Sequence, residues 1–329
     1  MAALAPPWQA TLTDAQHNLI LYFLAIAALA LLAGFVRTYM SKGEVGPRYR
    51  SATIARLGVM GIAGLAYVYL LMSFLGGYDF TGGEWVPNAL SANSFAPRYA
   101  EWSLTVPLMC AELLAVCTLA GPVARRARWL SMASAFVMIF CGFLGAVIFA
   151  GSGATVILLW FEIATVFWVL TNIVLVRAFL ASLPGLTAEA GALLRTAVLF
   201  LLGGWIIYPA VSLIQVFAFG GEWTTTIQVA LSVADIVIKV GFGSLIHRVA
   251  QLRTAEDVRA GLDVHPESIW ISSVKLADAG VPGEVHLDRR TTIHPQRERT
   301  GDTATGTSAE DVRDAEAEAE AAENRTLGL

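Results

Sequence analysis

Leu231-Ser232-Val233-Ala234-Asp235-Ile236-Val237-Ile238-Lys239-Val240-Gly241-Phe242-Gly243 lies inside a long apolar run at 223–250. It places a lysine in that run, with an aspartate four residues before it. On a helix the two positions share a face, so Asp235 and Lys239 can share a site. A charge in mid-membrane is costly and is tolerated when it faces a bundle interior with a partner. Two readings follow. The pair is a structural tie between helices, or the lysine amine forms a Schiff base with a carbonyl compound while carboxylates hold its charge. A second carboxylate on another helix would favour the latter.

The surrounding composition excludes a soluble protein of this size. Of 329 residues, 56% are hydrophobic and only 15% charged, and the mean hydropathy of +0.62 belongs to helical membrane proteins. The formal charge of −4 is too unevenly spread to indicate a partner, and no nucleic-acid partner is expected. Cys110, Cys117 and Cys141 are an odd number within apolar segments and lack ligand spacing, so neither a disulfide framework nor a metal site is expected. Met1 to Asp14 has no basic stretch, which argues against a cleaved signal peptide.

Apolar segments long enough to cross about 30 Å occur near 16–39, 52–76, 99–120, 129–150, 154–181, 192–218 and 225–249. The expected fold is therefore an all-α membrane protein, a seven-transmembrane-helix bundle. Arg37, Lys42, Arg48, Arg50 and Arg56 flank the first connection, and Arg125, Arg126 and Arg128 fill the third. Arg177 and Arg195 flank the fifth, and Arg248, Arg253 and Arg259 follow the seventh span. All fall on one side, opposite Asp14, Asp79, Glu84 and Glu222, which predicts an N-terminus outside and a C-terminus in the cytoplasm. The Gly-rich connection from Gly76 to Pro97 suits turns or a short hairpin over the outer mouth. Trp85 and Trp223 are expected at the outer interface and Trp129 at the inner one. Residues 1–255 form the expected membrane domain. Residues 256–329 form a cytoplasmic tail, largely disordered, with a short hydrophobic patch at Ser268-Ile269-Trp270-Ile271 and an acidic stretch at 310–324.

The third span supplies the second carboxylate. It reads Arg98-Tyr99-Ala100-Glu101-Trp102-Ser103-Leu104-Thr105-Val106-Pro107-Leu108-Met109-Cys110-Ala111-Glu112. Glu101 and Thr105 share a face, and Glu112 returns near it about 16 Å further along the axis. Separately, Glu101 could serve only to pair Arg98, and Glu112 could be a satisfied buried acid. Together, two acids on opposite sides of a buried lysine have the layout of a proton path. The sixth span adds Trp205-Ile206-Ile207-Tyr208-Pro209, where proline can kink the helix and the aromatics offer flat walls. Such aromatics are ordinary packing residues elsewhere; beside this lysine they suit a long apolar chromophore.

With these residues the chain resembles a microbial (type 1) rhodopsin over about 240 residues, with motifs in three helices, and is similar to bacterial proton pumps of the proteorhodopsin and bacteriorhodopsin kind. The resemblance implies all-trans retinal bound covalently to Lys239 as a protonated Schiff base. It implies a pocket including Trp102, Met109, Trp205, Tyr208 and Pro209, with Tyr67 as the second-helix tyrosine near Asp235. It further implies Glu101 as primary counterion and proton acceptor, Thr105 as its hydrogen-bond partner, and Asp235 as second counterion. Arg98 would control the outer half-channel, and Glu112 would be the inner proton donor. Met109 matches a position where leucine or methionine accompanies green absorption in relatives.

Three positions depart from the family pattern. Glu101 stands where pumps usually have aspartate, Ala66 replaces a second-helix histidine typical of proteorhodopsins, and Ser212 replaces an aromatic beyond Pro209. Glutamate is still a proton acceptor, so the implied activity is light-driven outward proton pumping. A photosensor signalling through a transducer draws on the long tail, and a light-gated channel draws on Glu101. Against the channel, the spans show no further polar stripe. The expected setting is the lipid of a plasma or inner membrane. A homo-oligomer is compatible with the chain, though no stretch specifies its number of subunits.

Overall fold

The computed structural model describes residues 10–91, 94–150, 152–217 and 220–262, with side chains at 212 and 214–217 left out. The expected tail, including Trp270 and the acidic stretch, lies outside the described residues beyond 262. Among the described residues the chain forms seven helical rods. α1 (Asp14–Met40) and α2 (Arg50–Gly76) are followed by a hairpin of β1 (Tyr78–Thr81) and β2 (Glu84–Pro87). Then come α3 (Phe95–Ala115), α4 (Gly121–Phe143) with a π-helical turn at Leu144–Ile148, and α5 (Ala154–Ser182). The sixth rod is α6 (Ala188–Gly204) with α7 (Ile207–Phe217). The seventh is α8 (Gly221–Asp235), a π-helical segment Ile236–Phe242 and α9 (Gly243–Arg259). α1 packs on α2 and α8, α3 lies between α2 and α4, α4 packs on α5, and α6 packs on α9.

Local chemistry accounts for the starts and stops. α1 begins with a capping box: Thr13 Oγ1 accepts from the Gln16 amide, and Gln16 Oε1 accepts from the Thr13 amide. The hairpin turns at Gly82-Gly83, whose φ angles of +67° and +91° suit the tight two-residue turn that strand twist favours. Trp85 is not simply an interfacial anchor. Its ring stacks on His17 at 3.7 Å and its Nε1 donates to Asp14 Oδ1, pinning the hairpin to the start of α1.

Two expected boundaries move. The third rod starts at Phe95 and ends at Ala115 rather than spanning 99–120, and α4 starts at Gly121 because Pro122 suits the first helical turn. Arg125, Arg126 and Arg128 therefore lie on α4 itself. The expected sixth span at 192–218 is interrupted at Trp205-Ile206. Pro209 explains this, since it lacks the N–H that would bond the Trp205 carbonyl four residues back and its ring crowds that carbonyl. Two arginines counted among the orienting charges are also interior: Arg56 is 3% exposed and Arg253 6% exposed.

Six rods are long and apolar enough to cross a membrane, and α3, which carries Arg98, Glu101 and Glu112, is the exception. Its charged side chains are all buried against neighbouring rods. Large apolar side chains such as Leu29, Ile54, Leu65, Leu159 and Leu199 instead point outward. A helical bundle with all backbone bonds internal and an apolar exterior suits lipid. The chain is a multi-pass membrane protein.

Arg253 closes the end of the bundle away from the hairpin. Its Nη1 donates at 2.7 Å to the Val116 carbonyl beyond the end of α3, and its guanidinium lies over Tyr49. Arg253→Met should leave that buried carbonyl without its donor and cost about 1–3 kcal/mol. Denaturant titration followed by circular dichroism in detergent would detect the loss; native stability in the variant would contradict the assigned tie.

Candidate functional site

Lys239 sits within the π-helical segment, where the wider i→i+5 winding displaces it from regular helix register. Its Nζ donates to Asp235 Oδ1 at 2.7 Å and to Glu101 Oε2 at 3.0 Å. All three groups are buried. The carboxylate on another helix that meets Lys239 is Glu101 on α3. Arg98 does not pair with Glu101 as the simple reading allowed; its guanidinium is 3.7 Å from Asp235.

The two carboxylates have unequal surroundings. Asp235 accepts from Tyr67 Oη at 2.8 Å, Tyr208 Oη at 2.7 Å and Lys239, with Arg98 close by. Arg98 is itself fixed, donating to Tyr67 Oη at 2.8 Å and to Gln228 Oε1 at 2.9 Å. Glu101 accepts from Thr105 Oγ1 at 2.6 Å and from Lys239. Two cations and two anions therefore share a buried site with matched charge, the condition under which buried ions are sustainable.

Lys239 also borders a cavity of about 220 Å³. The expected Trp102, Met109, Trp205, Tyr208 and Pro209 all line it, while Tyr67 lies in the hydrogen-bonded network beneath Asp235. Trp102 meets Tyr208 edge-on at 5.2 Å, which fixes the two ring planes. Further walls come from Met138, Ile139, Phe161 and Trp168 on α4 and α5. Gly142 also borders it; a Cβ there would come within 2.8 Å of Tyr99. An apolar, aromatic-walled slot with an amine at its edge fits retinal.

Glu112 stands apart. It is 1% exposed, and its Oε1 has no hydrogen-bond partner among the described residues. Near it lies Arg56, which sequence reading placed only among the orienting charges. Gln228 and the α4–α5 walls were also missed. Gln228 carried a usable signal, being seven residues before Asp235 and so on its helical face. The α4–α5 residues had none, because an apolar side chain facing a cavity looks in sequence like one facing lipid.

Comparison with known proteins agrees with this architecture. The family model described as bacteriorhodopsin-like protein matches residues 18–252. The blue-light absorbing proteorhodopsin of Gamma-proteobacterium Hot 75m4 is 26% identical over 235 residues, covering 68% of this chain and 83% of that protein. Sensory rhodopsin-2 of Natronomonas pharaonis is 29% identical over 257 residues, covering 74% and 95%. The crystallographic structure of xanthorhodopsin, titled a light-driven ion pump with dual chromophore, superposes with a TM-score of 0.70 at 27% identity, covering 75% of this chain and 98% of that one. This chain belongs to the bacteriorhodopsin-like family, the microbial (type 1) rhodopsins, which are light-driven ion transporters rather than classical enzymes.

Proposed function

We propose that the protein is a light-driven outward proton pump carrying all-trans retinal on Lys239, held between Trp102, Met109, Trp205, Tyr208 and Pro209. When bound, retinal supplies light absorption and the isomerisation that reorients Nζ. The chain's own residues then decide where the proton goes. The observation that carries this reading is the unequal support of the two carboxylates. When Nζ gives up its proton and charge, Asp235 retains Tyr67, Tyr208 and Arg98, whereas Glu101 retains Thr105. Anions with more fixed donors are better stabilised, so the proton goes to Glu101. Asp235 remains the charged partner, and Arg98, anchored by Gln228, guards the outer side. Glu112 returns a proton to Nζ from the inner side.

This assignment places the N-terminus outside and the C-terminus in the cytoplasm of a plasma or inner membrane. It treats 1–255 as the transport domain and 256–329 as a tail. Illumination of unbuffered cells supplied with retinal provides the test. External acidification abolished by a protonophore supports outward pumping. A passive current that reverses with voltage would replace it with a channel, and a slow cycle without transport with a sensor.

Lys239→Ala should give an inserted protein with no visible band on adding retinal; an ordinary pigment in that variant would remove the central assignment. The two glutamates should fail differently. Glu101→Gln removes a negative charge beside the cation at Nζ, so absorption should move to the red, and light-driven loss of the Nζ proton should be absent or very slow. Glu112→Gln should barely change colour, since about 16 Å of helix separates the two positions. Its Nζ proton should be lost normally but regained about 10²-fold or more slowly, with partial rescue by azide. Flash photolysis compares them directly, and native kinetics in both would sink the pathway.

A further inference from the structure

At the end of the bundle away from the hairpin, α1, its following turn and α9 enclose a groove lined by Arg37, Glu44, Ser244, His247, Arg248 and Gln251. Three of these residues form a compact polar set. Glu44 Oε2 lies 3.3 Å from His247 Nε2, and Gln251 Nε2 reaches both Glu44 Oε2 and His247 Nε2. The side chain of Glu44 is 44% exposed and that of His247 11% exposed, so the set runs from solvent toward the interior. One imidazole nitrogen therefore faces a carboxylate acceptor and an amide donor at once. A neutral imidazole accepting at Nε2 suits Gln251, and a protonated one donating at Nε2 suits Glu44. A histidine in water alternates between these states near neutral pH; at His247 burial and the Arg56 and Arg37 cations favour the neutral form, and the Glu44 carboxylate favours the charged one. The set is thus built to hold a proton in one state and release it in the other, without rearranging its backbone.

A link runs inward from the groove. Ser244, one turn before His247 on α9, accepts from Arg56 Nη2 at 3.2 Å and also lines the groove. Arg56 is buried, and among the described residues its Nε has no hydrogen-bond partner, like Oε1 of Glu112. The two orphaned atoms border one spot: a Cβ on Gly243 would lie 3.0 Å from Arg56 Nε and 3.4 Å from Glu112 Oε1. A larger residue than glycine at 243 would crowd the place where they approach. Buried polar groups left without partners in a native structure call for a functional or solvent-linked explanation.

Building on the pump reading, we propose that Glu44, His247 and Gln251 form the proton-uptake site of the inner path, with Arg56 as the positioning residue between it and Glu112. A proton from the inside binds His247 Nε2, giving an imidazolium that donates to Glu44. When Glu112 has surrendered its proton, the Nε2 proton crosses through water to the Glu112 carboxylate, leaving neutral imidazole and a neutral acid. Arg56 balances the transient carboxylate charge, which a nearly unexposed glutamate could not otherwise carry cheaply. Its tether to Ser244 keeps that cation at the mouth of the transfer.

Flash photolysis of the full-length pigment tests this, with the native protein as reference. Glu44→Gln and His247→Gln should lose the Nζ proton and regain it from Glu112 at the native rate, but the later recovery of the dark pigment, which waits on proton uptake by Glu112, should be about tenfold slower. Azide should restore the rate, and Arg37 and Arg248 on the rim should draw that anion in. Arg56→Gln should slow the same phase, and Arg56→Lys should regain it; identical slowing by both would remove Arg56's charge from the path. A second readout needs no photocycle. Nitrogen NMR of His247 in the dark, over a range of pH, should show its protonation altered by Glu44→Gln. Because Glu44 is substantially exposed, that variant carries the test even if His247→Gln does not fold. Recovery at the native rate in Glu44→Gln, with an unaltered His247 titration, overturns the proposal. If the native pigment never loses the Nζ proton in light, the pump reading itself fails; if it does and the Glu44 variant recovers normally, only the uptake site fails.

Discussion

A lysine ammonium sealed between two carboxylates governs the rest of this molecule. Lys239, Asp235 and Glu101 are nearly inaccessible, and with Arg98 they form a site of matched charge. Removing one partner from such a set leaves an uncompensated buried ion, which commonly costs about 3–5 kcal/mol. The constraint propagates outward. Tyr67 and Tyr208 must bring hydroxyls to Asp235, Thr105 must turn its hydroxyl onto Glu101, and Gln228 must hold Arg98. It also explains why the least apolar rod, α3, is packed between α2 and α4 with its charges buried.

The backbone departs from regular helix around the same place. The seventh rod adopts π-helical winding at Ile236–Phe242, which carries Lys239, and the sixth breaks at Trp205-Ile206 ahead of Pro209. A third irregularity, Leu144–Ile148, continues α4 just beyond the cavity-lining Gly142. π-helical turns and proline breaks are defined causes of local bending. Three of the five rods that frame the cavity therefore depart from regular helix, while α1 and α2 run unbroken.

The two ends of the path are built on different chemistry. On the hairpin side, Arg98 is fixed by tyrosine and glutamine, and Gln228 in turn reaches Ser94. On the opposite side, Glu112 and Arg56 keep unpartnered atoms beside Gly243. Among the described residues Arg98 also keeps one unpartnered atom, Nε, but both of its Nη groups are held, whereas the unpartnered atoms of Glu112 and Arg56 face one spot and retain capacity to bind or pass a proton. This asymmetry gives the molecule a rigid counterion region and a more adaptable inner half.

Sequence by itself determined the number of spans, the Asp235–Lys239 face and the residues that could meet it. Each of these follows from periodicity, hydropathy and the cost of burying charge, which are local properties of the chain. The Gly-rich connection from Gly76 to Pro97 suited turns or a short hairpin, and the structure decided on a hairpin turning at Gly82-Gly83, where both residues accept positive φ. Tertiary structure alone decided that Arg98 faces Asp235 rather than Glu101, and that Arg56 and Arg253 are interior rather than part of a surface charge belt. It also decided which apolar residues of α4 and α5 face the cavity and that His247 on α9 meets Glu44 in the turn after α1. These are contacts between distant positions set by how helices rotate and pack, and one-dimensional patterns of apolar and charged residues do not encode rotation.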